Sequence, residues 1–214
     1  PMSYGYLGDT STKIKQVKKN DGILTPSDVL DLESKGHWGG SLDLITSGSS
    51  DNSAQTLEFN DCLVGNYDVY LIQWNNFVPA NDENTLYFRL KNASGEITSG
   101  YQYANFYNTA SGGSGQNETT SATYLRIMGG GGSGTGELAN GHIYIYGAST
   151  SERTLATYST TYIDQNATYN SIMGGGVYDT AEVSTGVMFR SISSGGTLGN
   201  ISSLDVSIYG VKKI

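Results

Sequence analysis

The clearest alternation of apolar and polar positions lies on either side of Pro79, between Asn66 and Leu90. The segment reads NYDVYLIQWNNFVPANDENTLYFRL, and each half alternates with a period of two. Period-two runs that are rich in β-branched and aromatic residues predict β-strands. The first half is apolar on both faces, which predicts a place in the centre of a sheet, whereas the second half has one polar face.

Similar short strands continue along the chain from Ser41, separated by segments of glycine, serine, asparagine and aspartate that are typical of turns. The pattern predicts strands at about residues 41–47, 54–60, 67–77, 84–92, 97–107, 121–128, 141–147, 153–159, 168–173, 183–192 and 202–210. This spacing, with no second helical pattern, predicts an all-β fold. We expect residues 41–214 to form a single antiparallel β-sandwich of jelly-roll type.

Residues 1–40 are predicted to form an N-terminal attachment arm with one short α-helix at about residues 26–35. Thr25 can cap the helix, Pro26 fits the first helical position, and the carboxylate of Asp28 can meet free backbone N–H groups. Gly36 ends the helical pattern. A helix of about ten residues is too short to be stable alone, so we expect it to pack against something.

Composition and charge narrow the classes of partner. The chain carries a net charge of −8, which argues against nucleic acid as a partner. Cys62 is the only cysteine, so no intrachain disulfide can form, which fits folding in a reducing cytoplasm. Pro1 precedes Met2, so we expect Pro1 to be left by a cleaved tag. From Met2 onward no apolar run approaches the length of a signal peptide or membrane span, and no membrane insertion is expected.

The sequence contains few residues suited to catalysis or metal binding. Only two histidines occur, His37 and His142, and no G-x-S-x-G, C-x-x-C or H-E-x-x-H motif accompanies them. We therefore expect no enzyme activity, no cofactor and no metal site. Two alternatives stay open: calcium held in the loop of residues 81–84, and a polysaccharide depolymerase with a carboxylate pair that the sequence alone does not reveal.

The most suggestive surface feature is the run YQYANFY, from Tyr101 to Tyr107. We expect it to lead into a long polar loop that ends near Glu118. Tyrosine rings beside amide side chains offer flat apolar area together with hydrogen-bonding groups, as in sugar-binding and protein-binding surfaces. The candidate binding residues are Tyr101, Tyr103, Phe106, Tyr107 and Asn117. The alternative is that these rings cover a sheet or fill a subunit interface.

A second candidate surface lies in the arm. Its basic residues are clustered in an otherwise acidic chain, and a short apolar stripe and a tryptophan follow them. The candidate attachment residues are Lys13, Lys15, Lys18, Lys19, Leu30 and Trp38. They would dock on an acidic partner through the lysines, with the apolar residues as an anchor. The alternative is a solvated tail.

Several segments together resemble one family. They are MSYGYLGD, IKQVKKNDGILTPSDVLDL, SKGHWGGSL, YDVYLIQWNNFVPANDENTLYFRLKNASG, SGYQYANF and SIYGVKKI. The chain resembles tail-fibre-like structural proteins of tailed, particularly marine, bacteriophages, most strongly over residues 3–41, 67–106 and 203–214. The resemblance implies a virion component that attaches through its N-terminal segment and displays a β-sandwich, often as a homotrimer. It carries over no catalytic residues.

The sequence and the resemblance together predict a non-enzymatic phage virion protein of tail-fibre or appendage type. We expect assembly in the cytoplasm of a bacterial host, a homo-oligomer with a trimer favoured, and attachment to other virion proteins through the arm. The displayed domain would bind a glycan or protein of the host surface. The alternatives are a capsid decoration or head-fibre protein, a polysaccharide depolymerase, and a free-standing lectin-like module.

Overall fold

The computed structural model describes residues 25–34, 41–52, 54–63, 65, 67–193 and 195–212. The chain divides into two units, Pro1–Ser41 and Leu42–Ile214. In the first unit, α1 spans Pro26–Ser34, as the capping pattern predicts. The backbone N–H of Asp28 donates to Thr25 Oγ1 at 3.3 Å, and the backbone N–H of Thr25 donates to Asp28 Oδ2 at 3.0 Å. This reciprocal pair satisfies two N–H groups at the start of the helix.

The second unit consists of strands in two antiparallel sheets. The strands are β1 (Leu42–Ser50), β2 (Thr56–Phe59), β3 (Val69–Pro79), β4 (Thr85–Asn92), β5 (Gly95–Glu96), β6 (Tyr101–Thr109), β7 (Ser114–Ala122), β8 (Leu125–Arg126), β9 (Ala139–Tyr146), β10 (Thr154–Ile163), β11 (Tyr169–Tyr178), β12 (Gly186–Ile192) and β13 (Ile201–Val211). The large sheet has the order β1-β13-β3-β9-β10-β11-β6-β7. The small sheet has the order β2-β12-β4-β5, and β8 also pairs with β4.

The two sheets enclose one hydrophobic core. Phe189 of the small sheet lies with its ring centroid 5.8 Å from that of Trp74 in the large sheet and 5.4 Å from that of Phe88 in its own sheet. Trp74 and Phe189 are fully buried. The all-β antiparallel sandwich with a short N-terminal helix is thereby confirmed, while the jelly-roll order of its strands stays a prediction.

The segment around Pro79 links the two sheets. β3 lies between β13 and β9 in the interior of the large sheet, as its apolar faces predicted, whereas β4 belongs to the small sheet. In β3, Tyr70, Leu71, Ile72 and Trp74 are all buried, although neighbouring side chains point to opposite faces. One tight segment with Pro79 at its start therefore carries the chain from the centre of one layer into the other.

The long polar loop predicted to end near Glu118 is wrong, and the strand predicted at 121–128 holds only the end of β7 and the two-residue β8. Residues Ser114–Ala122 form β7, which pairs with β6 as the outermost strand of the large sheet. The sequence SGQNETTSA contains no large apolar residue, so hydrophobic alternation could not reveal it. An edge strand that is largely exposed needs no apolar face, because it covers little of the core.

The glycines of residues 174–176 lie within β11 and not at a loop tip. A Cβ atom added to Gly174 would collide with Asn105, and one added to Gly176 would collide with Leu125. This run of glycines is therefore a place of close backbone approach. These glycines let β6 and the segment around β8 lie close against β11.

Candidate functional site

Tyr101 lies in the core, so the prediction that it belongs to a binding surface is wrong. Its side chain is fully buried, with its ring centroid 5.6 Å from that of Tyr178. The hydroxyl accepts a hydrogen bond from Leu90 N–H at 2.8 Å and donates one to the carbonyl of Ile97 at 3.2 Å. Burial raises the pKa of this phenol. The hydroxyl thereby ties β6 to β4, a structural role.

The other candidate residues of this region lie on two different faces of β6 and β7. Phe106 points away from the core, is 47% exposed, and pairs across the strands with Met173. Tyr103, Tyr107 and Asn117 point to the opposite side and are half-buried. The structure therefore separates Phe106 from the rest, because successive residues of a strand face opposite ways.

The inward-pointing side chains of β6 and β7 lie beside residues of β4 and of the segment around β8, at the side of the sandwich. The rings of Tyr87 and Tyr124 stack with their centroids 3.6 Å apart and their planes 11° from parallel. Burial raises the pKa of Tyr87, and the hydrogen bond with Tyr124 adds to this rise. Tyr87 is opposite Arg126 in the pairing of β4 with β8. We call Tyr87, Tyr103, Tyr124, Arg126 and Asn117 the tyrosine edge.

A chain of hydrogen bonds fixes the polar groups of the tyrosine edge. Arg126 Nη1 donates to Asn117 Oδ1 at 3.4 Å, and Asn117 Nδ2 donates to Asn105 Oδ1 at 3.0 Å. The buried Asn105 donates in turn to the hydroxyl of Tyr158 at 3.1 Å and to the carbonyl of Arg126 at 3.2 Å. Burial raises the pKa of Tyr158 to about 12. The predicted binding residue Asn117 is thus a positioning group within this network.

A polar depression of about 470 Å³ opens beside the tyrosine edge. Its lining residues are Glu83, Thr85, Tyr87, Arg126, Gly130, Asp164, Gln165 and Asn166. Gln165 Nε2 donates to Glu83 Oε1 at 2.6 Å, which links the β3–β4 loop to the β10–β11 turn. Gln165 and Asn166 are exposed. Sequence reasoning missed this site because its residues come from three separate segments of the chain, 83–87, 126–130 and 164–166.

The carboxylate of Asp164 organises the β10–β11 turn. It accepts hydrogen bonds from the backbone N–H of Asn166 at 2.9 Å and of Thr168 at 3.0 Å, and from Asn170 Nδ2 at 3.0 Å. Partial burial alone would raise the pKa of Asp164, but these hydrogen bonds outweigh burial and hold the pKa below its ordinary value. The charged carboxylate therefore holds one wall of the depression in place.

A second candidate surface is the outer face of the large sheet. Among the described residues ten large apolar side chains are exposed, and seven of them lie on this face. They are Leu42, Leu44, Phe106, Tyr146, Leu155, Tyr169 and Met173. His142, Tyr144 and Tyr146 form a ladder along β9, with ring centroids 5.7 Å apart for the first pair and 6.4 Å for the second. Phe106 is the one predicted binding residue on this face.

The outer face of the small sheet is charged instead. Glu96 forms ion pairs with Arg89 and, at 3.1 Å, with Arg190. Lys91 forms another ion pair with Glu58. These charges pair with one another across the small sheet, both between neighbouring strands and across an intervening one, so this face satisfies its own electrostatics without a partner.

The candidate attachment residues of the arm are only partly described. Lys13, Lys15, Lys18, Lys19 and Trp38 lie outside the described residues. Leu30 lies on α1 and is 65% exposed. The attachment role of all six stays a prediction.

The residues suited to catalysis or metal binding are dispersed. Cys62 is buried, and the loss of solvation raises the pKa of its thiol to about 11. His142 lies on the outer face of β9. In the loop of residues 81–84, where calcium stays open as an alternative, Asp82 accepts hydrogen bonds from the backbone N–H and hydroxyl of Ser133. Within the described residues, no three or more histidine, cysteine, aspartate or glutamate side chains are grouped as metal ligands.

Comparison with known proteins adds no relative. No protein-family model matches the chain, and no curated protein matches it. Across the described part of the chain, no helix has the length and apolar character needed to cross a membrane.

Proposed function

We propose that this chain is a non-enzymatic virion structural protein of a tailed bacteriophage, of tail-fibre or appendage type, which displays its β-sandwich to bind a host-surface glycan. Residues 1–40 attach it to other virion proteins, and the chain forms a homo-oligomer, with a trimer favoured. It is assembled in the cytoplasm of the bacterial host. The resemblance given above supports the virion assignment, and the depression beside the tyrosine edge supports the glycan.

The observation that carries the glycan proposal is the chemistry of that depression. The ring of Tyr87 supplies flat apolar area, on which the C–H face of a sugar can stack. Arg126, Gln165, Asn166 and Glu83 supply donors and acceptors around it. A concave site with one aromatic wall and several fixed polar groups suits a ligand that has both an apolar face and many hydroxyls.

A second candidate function is cleavage of the glycan. Glu83 and Asp164 both line the depression, and glycosidases place two carboxylates around the bond that they hydrolyse. In this chain both carboxylates accept hydrogen bonds from neighbouring side chains or backbone groups. We favour binding, because these hydrogen bonds give the carboxylates a structural role in shaping the wall.

The test is a binding measurement with purified lipopolysaccharide and capsular polysaccharide from bacteria co-isolated with phages of this type. We expect the double variant Gln165→Ala/Asn166→Ala to bind at least about tenfold more weakly, since it removes two exposed amides of the depression. The matched control is Gln55→Ala/Asn60→Ala, which removes two exposed amides elsewhere. Equal binding by all three proteins, or no binding by the original chain, contradicts the glycan proposal.

The same samples decide between binding and cleavage. A depolymerase releases reducing ends from the polysaccharide, and Glu83→Gln abolishes that release. A binding protein releases none, and Glu83→Gln changes only affinity. Release of reducing ends by the original chain would replace the first candidate function by the second.

A further inference from the structure

The outer face of the large sheet is ordered in rows that cross all its strands. One row runs through Leu44, Tyr209, Leu71, Tyr144 and Thr157. It continues through Gly175 and Ala104 to Glu118. The neighbouring row consists of Leu42, Val211, Val69, Tyr146, Leu155, Val177 and Gln102. Side chains in such rows are direct cross-strand neighbours, so the apolar members of the two rows form a patch from β1 to β11, while Thr157, Gln102 and Glu118 are polar.

This face is almost without charge. The eight strands of the large sheet contain no lysine or arginine, and their acidic residues are Asp43, Asp205 and Glu118. Asp43 forms an ion pair with Lys212 at 2.9 Å and accepts a hydrogen bond from the hydroxyl of Tyr67. Since the chain as a whole carries 32 charged side chains, their scarcity here is a property of this surface.

The face is also large enough for stable association. Eight strands spaced about 4.8 Å apart, each with about eight residues that rise about 3.3 Å, present roughly 1,000 Å². A stable protein–protein interface buries about 800 Å² on each partner. Depletion of charge together with enrichment in aromatic residues and methionine is the composition that distinguishes the centre of such interfaces.

We propose that the outer face of the large sheet packs against a second copy of this chain. Two copies that each carry a net charge of −8 repel one another, so a contact between them is most favourable where charge is least. A face without lysine or arginine has no group to attract an acidic partner. An apolar face meets its own chemistry in a second copy, which is how a self-complementary interface forms.

This inference deepens the homo-oligomer part of the proposed function by naming one contact surface, and it does not depend on the glycan. Because a self-complementary contact joins two copies, a trimer requires a second, different contact in addition. In the tyrosine edge, Tyr103 and Asn117 point to the other side of β6 and β7, and Tyr87 and Arg126 belong to the small sheet, so association through the outer face of the large sheet leaves the edge accessible. A failure of self-association and a failure of glycan binding are therefore separate experimental outcomes.

The test is the solution mass of the full chain, measured by light scattering. We expect an oligomer for the original chain and a monomer for Leu155→Lys/Met173→Lys, which places two charges on side chains that are 53% and 56% exposed. The matched control is Val183→Lys/Leu198→Lys, where the apolar side chains are 43% and 38% exposed but lie in loops. The control should keep the mass of the original chain. A monomeric original chain, or an unchanged mass of the first variant, overturns the proposal.

A cysteine variant keeps the proposal testable if the lysine variant fails to fold. Thr157→Cys places a thiol at an exposed position in the middle of the face. The native Cys62 is buried and contributes little background. We expect oxidation to cross-link copies of Thr157→Cys and not copies of Thr123→Cys, which is exposed beside the small sheet. Equal yields of cross-linked product from the two variants would argue against the interface.

Discussion

The two sheets of the sandwich share one core, yet their outer faces have opposite chemistry. The eight long strands of the large sheet contain three charged residues, all acidic. The five short strands of the small sheet contain Glu58, Arg89, Lys91, Glu96, Arg126 and Arg190. The small sheet therefore carries twice as many charged residues in far fewer positions, and it combines both signs.

The difference shows that the position of charge is informative even where the total is not. A net charge of −8 disfavours association between copies of the chain, but it does not show which part of the surface can associate. The small sheet is suited to water, since its charges pair with one another. The large sheet is suited to contact, since its outer face exposes apolar rings and aliphatic side chains.

The largest expected change in the free energy of unfolding tests whether the two sheets differ only on their outer faces and share one core. Phe189→Ala in the small sheet and Trp74→Ala in the large sheet each remove a large ring from the shared core. Each should lower the free energy of unfolding by about 3–5 kcal/mol. Denaturant unfolding followed by tryptophan fluorescence measures Phe189→Ala, and circular dichroism measures both. Two separate transitions, one for each sheet, would show that the core is not shared.

A smaller change in the free energy of unfolding is expected to distinguish the outer face of the small sheet from that of the large sheet. Glu96→Gln leaves Arg89 and Arg190 without their common carboxylate, and all three side chains are mostly shielded from solvent. The free energy of unfolding should fall by about 1–3 kcal/mol. Glu118→Gln, on the exposed edge of the large sheet, should change it by less than about 0.5 kcal/mol. Equal losses in urea denaturation of the two variants would remove the contrast.

The smallest effect concerns Asp43, an acidic residue of the large sheet that has a basic partner. The hydrogen bond from Lys212 holds the pKa of Asp43 below its ordinary value of 3.8, against the opposing effect of burial, and the hydroxyl of Tyr67 assists. Because the folded-state pKa is lowered, Asp43 stabilises the fold above pH 3.8, and this contribution is lost as the pH falls through the folded-state pKa. Asp43→Asn should therefore unfold at a lower temperature at pH 7 and at nearly the same temperature at pH 2. A constant difference in melting temperature across this range would exclude the ionic contribution.

Much of the fold could be predicted because its interior strands carry strong patterns. β3 alternates between two apolar faces and lies inside the large sheet, and Thr25 and Asp28 form the expected helix cap. β7 could not be predicted, because an exposed edge strand made of Ser, Gly, Gln, Asn, Glu and Thr has no apolar period. Sheet membership was equally hidden, since the pattern of a strand does not name its neighbours.

The candidate site was harder to predict than the fold. Tyr101 and Tyr103 alternate in sequence as two inward residues, and the sequence does not tell an inward tyrosine in the core from one at the edge of a layer. The extent of the small sheet distinguishes these two tyrosines, because the small sheet covers Tyr101 and leaves Tyr103 half-exposed. The charge contrast was different: the scarcity of lysine and arginine in the predicted strands was visible in the sequence, but it acquired meaning only when the strands were assigned to sheets.

The pairing of β1 with β13 has a consequence for the order in which the chain acquires structure during synthesis. Leu42 lies opposite Val211, so β1 cannot pair with its neighbour β13 until residues 201–211 have been synthesised. β13 also separates β1 from β3, so the edge of β3 stays open until the same moment. Contacts between such distant parts of a chain form slowly. A chain shortened before β13 would expose an aggregation-prone apolar edge, and chaperones would act on that intermediate.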